Sequence, residues 1–213
     1  MTGPLDPRRR ELLKELKEKV PFLAPRVEAA LLKVPRHRFV PEEHQGEAWE
    51  DKALAVGLDQ TISRPSTIAR MLSAVLPSPK DKVLEVGTGT GYQTALLCEL
   101  ARFVFSIERL HDLGSAAAAR LKGLGYSNFS INIFDGGYGW PEFAPYDSIV
   151  VACGSPKVPR ALLGQLKEGG RMVIPIGTGR GQHLHLITRD EKGYIYTRLD
   201  RAAFVPFITQ GIK

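Results

Sequence analysis

Three glycines at alternate positions, Gly87, Gly89 and Gly91, follow directly on the aliphatic run Val83, Leu84 and Val86. The run reads as a buried strand, and Tyr92 to Ala101, with Ala95, Leu96 and Leu100 on one side, reads as a helix. A strand that turns through glycine into a helix lets backbone come close to a ligand. Glu85 lies within the strand. Glu108 lies about 20 residues after the loop begins, where a carboxylate suits the two ribose hydroxyls of a nucleoside. Asp135 and Gly136 stand at the end of a later predicted strand, where residue types alone leave a surface turn open.

Two ligand classes use such a loop. The dinucleotide fingerprint needs a third small residue one place later, where helix and strand pack closely over a pyrophosphate. That place holds Tyr92, which speaks against NAD. The pattern Glu85-x-Gly87-x-Gly89-x-Gly91 resembles instead the first motif of S-adenosylmethionine-dependent methyltransferases, whose loop passes under the methionine part of the cofactor. Without a ligand the same pattern is simply a tight strand-to-helix turn.

A chain of 213 residues, 43% hydrophobic and 24% charged, is enough for one α/β domain with an N-terminal extension. We read 1–213 as a single domain: a helical, substrate-side extension over 1–76 and a core over 77–213. No stretch approaches the ~18 apolar residues that span a bilayer, so a soluble, cytoplasmic protein without a membrane partner is expected. Cys98 and Cys153 are expected to be free thiols in a reducing compartment. The net charge of +6 raises a nucleic-acid partner. Yet the basic residues are spread, and the densest run, Arg8-Arg9-Arg10, leads into a helix that also carries Glu11, Glu15 and Glu18. After the fourth strand stands Ala152-Cys153-Gly154-Ser155-Pro156, not the Asp/Asn-Pro-Pro-aromatic motif of many DNA-base methyltransferases. No nucleic-acid partner is expected.

From the N-terminus, Pro7 to Lys19 and Arg26 to Lys33 read as amphipathic helices. The prolines of Val34 to Pro41 bracket an extended or irregular segment, in which His37 is assigned a structural role. Pro65 suits the first turn of a helix that runs through Ile68, Ala69, Met71 and Leu72, with Ser63 placed to cap it. Beyond the glycine loop, strand and helix alternate as a doubly wound sheet requires. Strands fall at Phe103–Ile107, Phe129–Phe134, Ser148–Ala152 and Arg171–Ile176, and helices at Asp112–Leu124 and Val158–Leu166. Lys167 and Gly169-Gly170 mark a helix end and turn. His183–Thr188 and Tyr194–Leu199 form a closing antiparallel hairpin. His183 and His185 alternate on one strand face without Cys or carboxylate neighbours, so they are read as solvent-facing and no metal site is expected.

A narrower likeness emerges over nearly the whole chain. Val34-Pro35-Arg36-x-x-Phe39-Val40-Pro41, Gln60-Thr61-Ile62-Ser63-x-Pro65 and Leu84 to Tyr92 together resemble the protein-L-isoaspartate (D-aspartate) O-methyltransferase family. The likeness continues through Ser106 to Arg109, Asp135-Gly136, Gly139-Trp140-Pro141, Ala144 to Asp147, Gln165 to Arg171, Val173 to Gly177 and Phe204-Val205-Pro206. The resemblance implies a seven-stranded, mostly parallel Rossmann-like sheet and S-adenosyl-L-methionine as cofactor, with S-adenosyl-L-homocysteine as product. It places the active-site serine at Ser63 and the adenine contact at Asp135 and Gly136. Gln60, Thr61 and Ile62 would cover the methionine part. Glu85, Gly87, Thr88, Gly89 and Gly91 would hold its end, and Glu108 with Arg109 the ribose. The implied partner is a peptide segment carrying isoaspartate, whose methyl ester collapses to a succinimide and so begins repair; the enzyme is expected to be a monomer.

The chemistry needs little machinery. An isoaspartyl α-carboxylate, with a pKa near ~3.5, is already ionised at neutral pH, so no general base is required. The task is to orient it toward an activated methyl with water excluded. Two positions depart from the family pattern: Arg64, between the serine and the proline, either adds a cation for the carboxylate or points to solvent, the reading preferred here. Cys153 is read as packing. Methylation of another peptide or small-molecule carboxylate uses the same cofactor residues and stands as the alternative, with a non-enzymatic or nucleic-acid-binding module as a third reading.

Overall fold

Proline sets the first helices: Pro7–Lys19 (α1) and Pro25–Lys33 (α2) each have Pro in the first turn, where its fixed φ is helical and no amide is needed. In the computed structural model, which describes residues 6–209, the predicted inward faces Leu12, Leu13, Leu16 and Val27, Ala30, Leu31 are all buried. The ends of the proposed 1–213 span, 1–5 and 210–213, lie outside the described residues. Where an extended or irregular segment is expected over Val34 to Pro41, Arg36–Phe39 forms a 3₁₀ turn, and Glu42–Glu47 forms another just beyond it.

A hairpin follows that the sequence does not announce. Leu54–Gly57 (β1) pairs antiparallel with Gln60–Ile62 (β2), and the two residues of its turn, Leu58 and Asp59, both sit in the left-handed region at φ 53° and 56°. Such turns ordinarily carry Asn-Gly or Asp-Gly, so Leu-Asp gives no warning of one.

Pro65–Val75 (α3) leads to Lys82–Val86 (β3), Tyr92–Leu100 (α4), Phe103–Glu108 (β4), His111–Gly123 (α5) and Phe129–Ile133 (β5). Tyr146–Val151 (β6), Arg160–Gln165 (α6), Leu166–Ile176 (β7), His183–Asp190 (β8) and Gly193–Arg201 (β9) complete the chain. The helix α6 is shorter than predicted because Pro159 disfavours helical backbone at Val158. β7 begins earlier than predicted: Lys167 and Gly169-Gly170 lie within it, at a register shift against β6 with Gly169 at φ 76°. The predicted turn is thus a bulge.

The seven strands are ordered β5-β4-β3-β6-β7-β8-β9, parallel from β5 to β7 and antiparallel thereafter. This is the doubly wound sheet with a closing hairpin that the sequence predicts. Period-two alternation sends Val83, Val104, Val150 and Val173 into a core with α1 to α4, and Leu84, Phe105, Ile149 and Met172 into a second core on the other face. Strand order reverses between β3 and β6, and a crevice opens beyond their carboxyl ends, where open α/β sheets bind ligands.

Candidate active site

That crevice is a cleft of about 240 Å³. Its floor is the glycine loop. Gly87 and Thr88 both donate their amides to the Ile107 carbonyl, at 2.8 and 3.2 Å, which pins the loop on β4. Gly87, Gly89 and Gly91 have φ of 96°, 55° and 86°, a region that L side chains rarely adopt. A Cβ on Gly89 would meet nothing within 4 Å, so it is the backbone conformation and not lack of space that calls for glycine there.

Glu108 lines the cleft and is held by three amides: Oε2 accepts from Gly89 at 2.9 Å, and Oε1 from Arg109 and Leu110 at 2.8 and 3.0 Å. Arg109, Gly87, Thr88, Gly89 and Gly136 line it too. Gly136 is glycine for space: its Cβ would fall 2.3 Å from Val86 Cγ1.

Three predicted contacts are not on the cleft. Glu85 is wholly buried behind the loop. It accepts from Thr94 Oγ1 at 2.5 Å, Ser106 Oγ at 2.7 Å and Gln93 Nε2 at 3.2 Å, while Ser106 Oγ lies 2.5 Å from Thr88 Oγ1. It therefore ties β3, β4, α4 and the loop together instead of meeting a ligand. Burial pushes its carboxyl up to about 7, against the pull of its three donors. Gly91 precedes α4, and a Cβ there would come within 3.3 Å of Ala117 and Leu121 of α5, so its role is close packing. Asp135 turns its Oδ1 to the Gly137 amide at 2.8 Å and caps the 3₁₀ turn Gly136–Tyr138.

The outer wall is Asp59 to Ser63, the end of the unpredicted hairpin. Ser63 also borders a second cavity of about 360 Å³, and Thr61, Ala152 and Val205 share that double position. The predicted capping of α3 by Ser63 is not found. Arg64 occupies the cap position without a side-chain bond, and the Ser66 amide is capped from a distance by Asp51 Oδ1 at 2.8 Å. Among the described residues the Ser63 hydroxyl has no hydrogen-bond partner, so its donor is available to a ligand. Its main-chain carbonyl is held by Arg36 Nη2 at 3.2 Å. Arg36 and Asp51 carry no site signal in the sequence beyond the place of Arg36 in Val34-Pro35-Arg36; their partners are distant in the chain.

Residues 7–211 match the model of the family described as Protein-L-isoaspartate(D-aspartate) O-methyltransferase. The chain belongs to that family. It is 46% identical over 198 residues to protein-L-isoaspartate O-methyltransferase of Dictyoglomus turgidum, covering 93% of this chain and 90% of that one. It is 43% identical over 210 residues to the protein of that name from Ignicoccus hospitalis, covering 97% and 100%. A solved protein-L-isoaspartate O-methyltransferase superposes with a TM-score of 0.84 at 30% identity, over 93% of this chain and 65% of that one. A Plasmodium falciparum protein given the same enzyme name, in complex with S-adenosyl-L-homocysteine, has a TM-score of 0.84 at 25% identity over 96% and 100%.

Within this methyltransferase, Tyr92 is buried beside the cleft and leaves it open, packing 5.6 Å from the Phe39 ring with Arg36 5.8 Å from its centroid. His37 packs against Trp49 at 5.6 Å; burial, then Arg9 and Arg38, hold its imidazole below the usual range. Cys153 lines the cleft, but burial pushes its thiol up, which suits packing and not nucleophilic attack. Both cysteines are unpaired. His183 and His185 are half-buried rather than solvent-facing, His183 Nε2 lying 2.6 Å from Arg198 Nη2. Among the described residues no cluster of His, Cys, Asp or Glu could hold a metal.

Proposed function

We infer that this member of the family methylates the free α-carboxylate of L-isoaspartyl, and D-aspartyl, residues in damaged proteins, with S-adenosyl-L-methionine as methyl donor. The observation that carries the reading is Ser63 on the wall common to both cavities. One cavity suits the cofactor and the other the acceptor, and reaction between them requires a shared boundary.

The cleft fits the cofactor. Gly89 offers backbone with no side chain in the way, and Glu108 Oε2, which takes one amide bond where Oε1 takes two, keeps acceptor capacity for a ribose hydroxyl. In this reading Gln60, Thr61 and Ile62 cover the methionine part, Gly87, Thr88 and Gly89 lie beneath it, Arg109 flanks Glu108, and Gly136 abuts the adenine. Glu85, Gly91 and Asp135 act one step back, by fixing the loop, the start of α4 and the turn at Gly136. The cofactor supplies a methyl group already activated on a sulfonium.

The protein's part is to bind, orient and dry the acceptor. The Ser63 hydroxyl donates to one carboxylate oxygen and fixes its direction, and the Arg36 anchor on the Ser63 carbonyl fixes the serine. No proton is abstracted, because the acceptor is ionised at neutral pH, near ~3.5 for such carboxyls. The extension over 1–76 acts as the acceptor side and 77–213 as the cofactor core of one domain. We place the enzyme in the cytoplasm, which two free thiols support, without a nucleic-acid partner, which the spread of its basic residues supports, and as a monomer. Among the described residues no helix is long and apolar enough to cross a membrane.

Labelled S-adenosylmethionine with paired peptides containing isoaspartate or normal aspartate tests the function. Base-labile label in the isoaspartyl peptide alone is expected. Label in neither peptide overturns the substrate assignment.

A further inference from the structure

The second cavity is strongly one-sided in charge. Thr61, Ser63, Ala152 and Val205 form its border with the cofactor cleft, and Arg64, Arg70 and Arg201 stand around the rest. Among the described residues no Asp or Glu lines it. Arg70 is already engaged: its Nη2 donates to the Lys19 carbonyl at 2.7 Å, and its Nε lies 3.2 Å from Asp200 Oδ2. Arg64 and Arg201 are different. Both are exposed, and among the described residues neither guanidinium has a hydrogen-bond or ion-pair partner. Asp200, next to Arg201 in the chain, pairs with Arg70, and Asp51 is held by Lys19 and the Ser66 amide.

An acceptor carboxylate at Ser63 therefore has two unpaired guanidinium groups beside it, in a concave site of about 360 Å³. Each exposed cation alone contributes little, but two of one sign in a concavity raise the local potential together. Their planar forks match carboxylates bidentately. We propose that Arg64 and Arg201 make this enzyme selective for acidic acceptor segments, in which further Asp or Glu residues flank the isoaspartate, over basic ones. The inference rests on the isoaspartyl reading above and adds the charge of the neighbouring residues to it. It also gives Arg64 a task where the sequence reading prefers solvent.

The test uses the full chain and three peptides that differ only in the residues flanking isoaspartate: glutamate, alanine or lysine. At low salt kcat/KM should fall in that order, with roughly a tenfold ratio between the glutamate and lysine peptides. The ratio should narrow as salt is raised, because the arginines are exposed. Arg64→Ser with Arg201→Ser should bring it close to one, and Arg64→Glu with Arg201→Glu should invert it. A wild-type ratio of one or below, or a ratio that survives the double serine variant, overturns the proposal. Equal methylation of all three peptides overturns it while the isoaspartyl reading stands; methylation of none overturns both.

Discussion

Arg36, which has no exposed surface, donates through Nη2 to the main-chain carbonyl of Ser63 at 3.2 Å. The same guanidinium reaches the carbonyls of Ala48 at 2.7 Å and Lys52 at 3.1 Å, so one side chain fastens the segment after α2 to the wall of the cleft. No carboxylate among the described residues touches it, and burial lowers its pKa. Arg36→Met would leave three carbonyls without their donor and should cost about 3–5 kcal/mol, read as a fall in Tm. Arg36→Lys keeps the charge but not the fork. It should lower kcat by about tenfold or more through misplacement of Ser63, with little change in S-adenosylhomocysteine affinity by calorimetry.

Ser63→Ala separates the site role from the capping role. Loss of a hydrogen bond to an ionised acceptor should reduce kcat/KM on an isoaspartyl peptide by roughly 10- to 100-fold. Stability should move by no more than about 0.5 kcal/mol, since the hydroxyl caps nothing. Unchanged turnover would remove Ser63 from the site.

The cap belongs to Asp51, whose carboxylate serves both the Ser66 amide and Lys19 Nζ at 2.8 Å. Asp51→Ala should cost about 1–2 kcal/mol in denaturant unfolding. If Ser63→Ala proves the more damaging of the two to stability, the assignment of the cap is wrong.

Glu85 gives a pH signature. Its carboxyl is pushed from 4.5 up to about 7 in the folded protein, by burial first of all. Between those values the native state holds a proton that the unfolded chain has released. The stabilisation is thus fully present below pH 4.5 and lost as pH rises through about 7, on the order of 3 kcal/mol in total. Glu85→Gln cannot titrate and should flatten this slope, so the Tm difference between wild type and variant should shrink from pH 5 to pH 8. Parallel Tm curves would show that Glu85 titrates alike in both states.

Gly136→Ala places a methyl 2.3 Å from Val86 Cγ1, a side chain that lines the cleft. Val86 must shift, at about 1–3 kcal/mol of overpacking. Weaker S-adenosylhomocysteine binding together with a lower Tm is the expected result; unaltered binding would mean that the adenine side lies elsewhere.

The sequence by itself determined the sheet and the loop. Period-two runs such as Val83, Leu84 and Val86, prolines at helix starts and three alternate glycines are local signals, and they act locally in the structure. It also put Glu108 and Ser63 near the cleft, through spacing in one case and family likeness in the other. Only the tertiary structure decided which acidic residues face the ligand. Glu85 and Glu108 are both acids at strands beside the loop, yet period-two alternation and the packing of α4 turn Glu85 inward, while Glu108 sits at a strand end and meets the cleft. The fold likewise chose Arg36 and Asp51 to hold Ser63 and α3, across 27 and 15 residues of chain. Pairings over such distances are set by how the elements pack, which no short stretch of residues encodes.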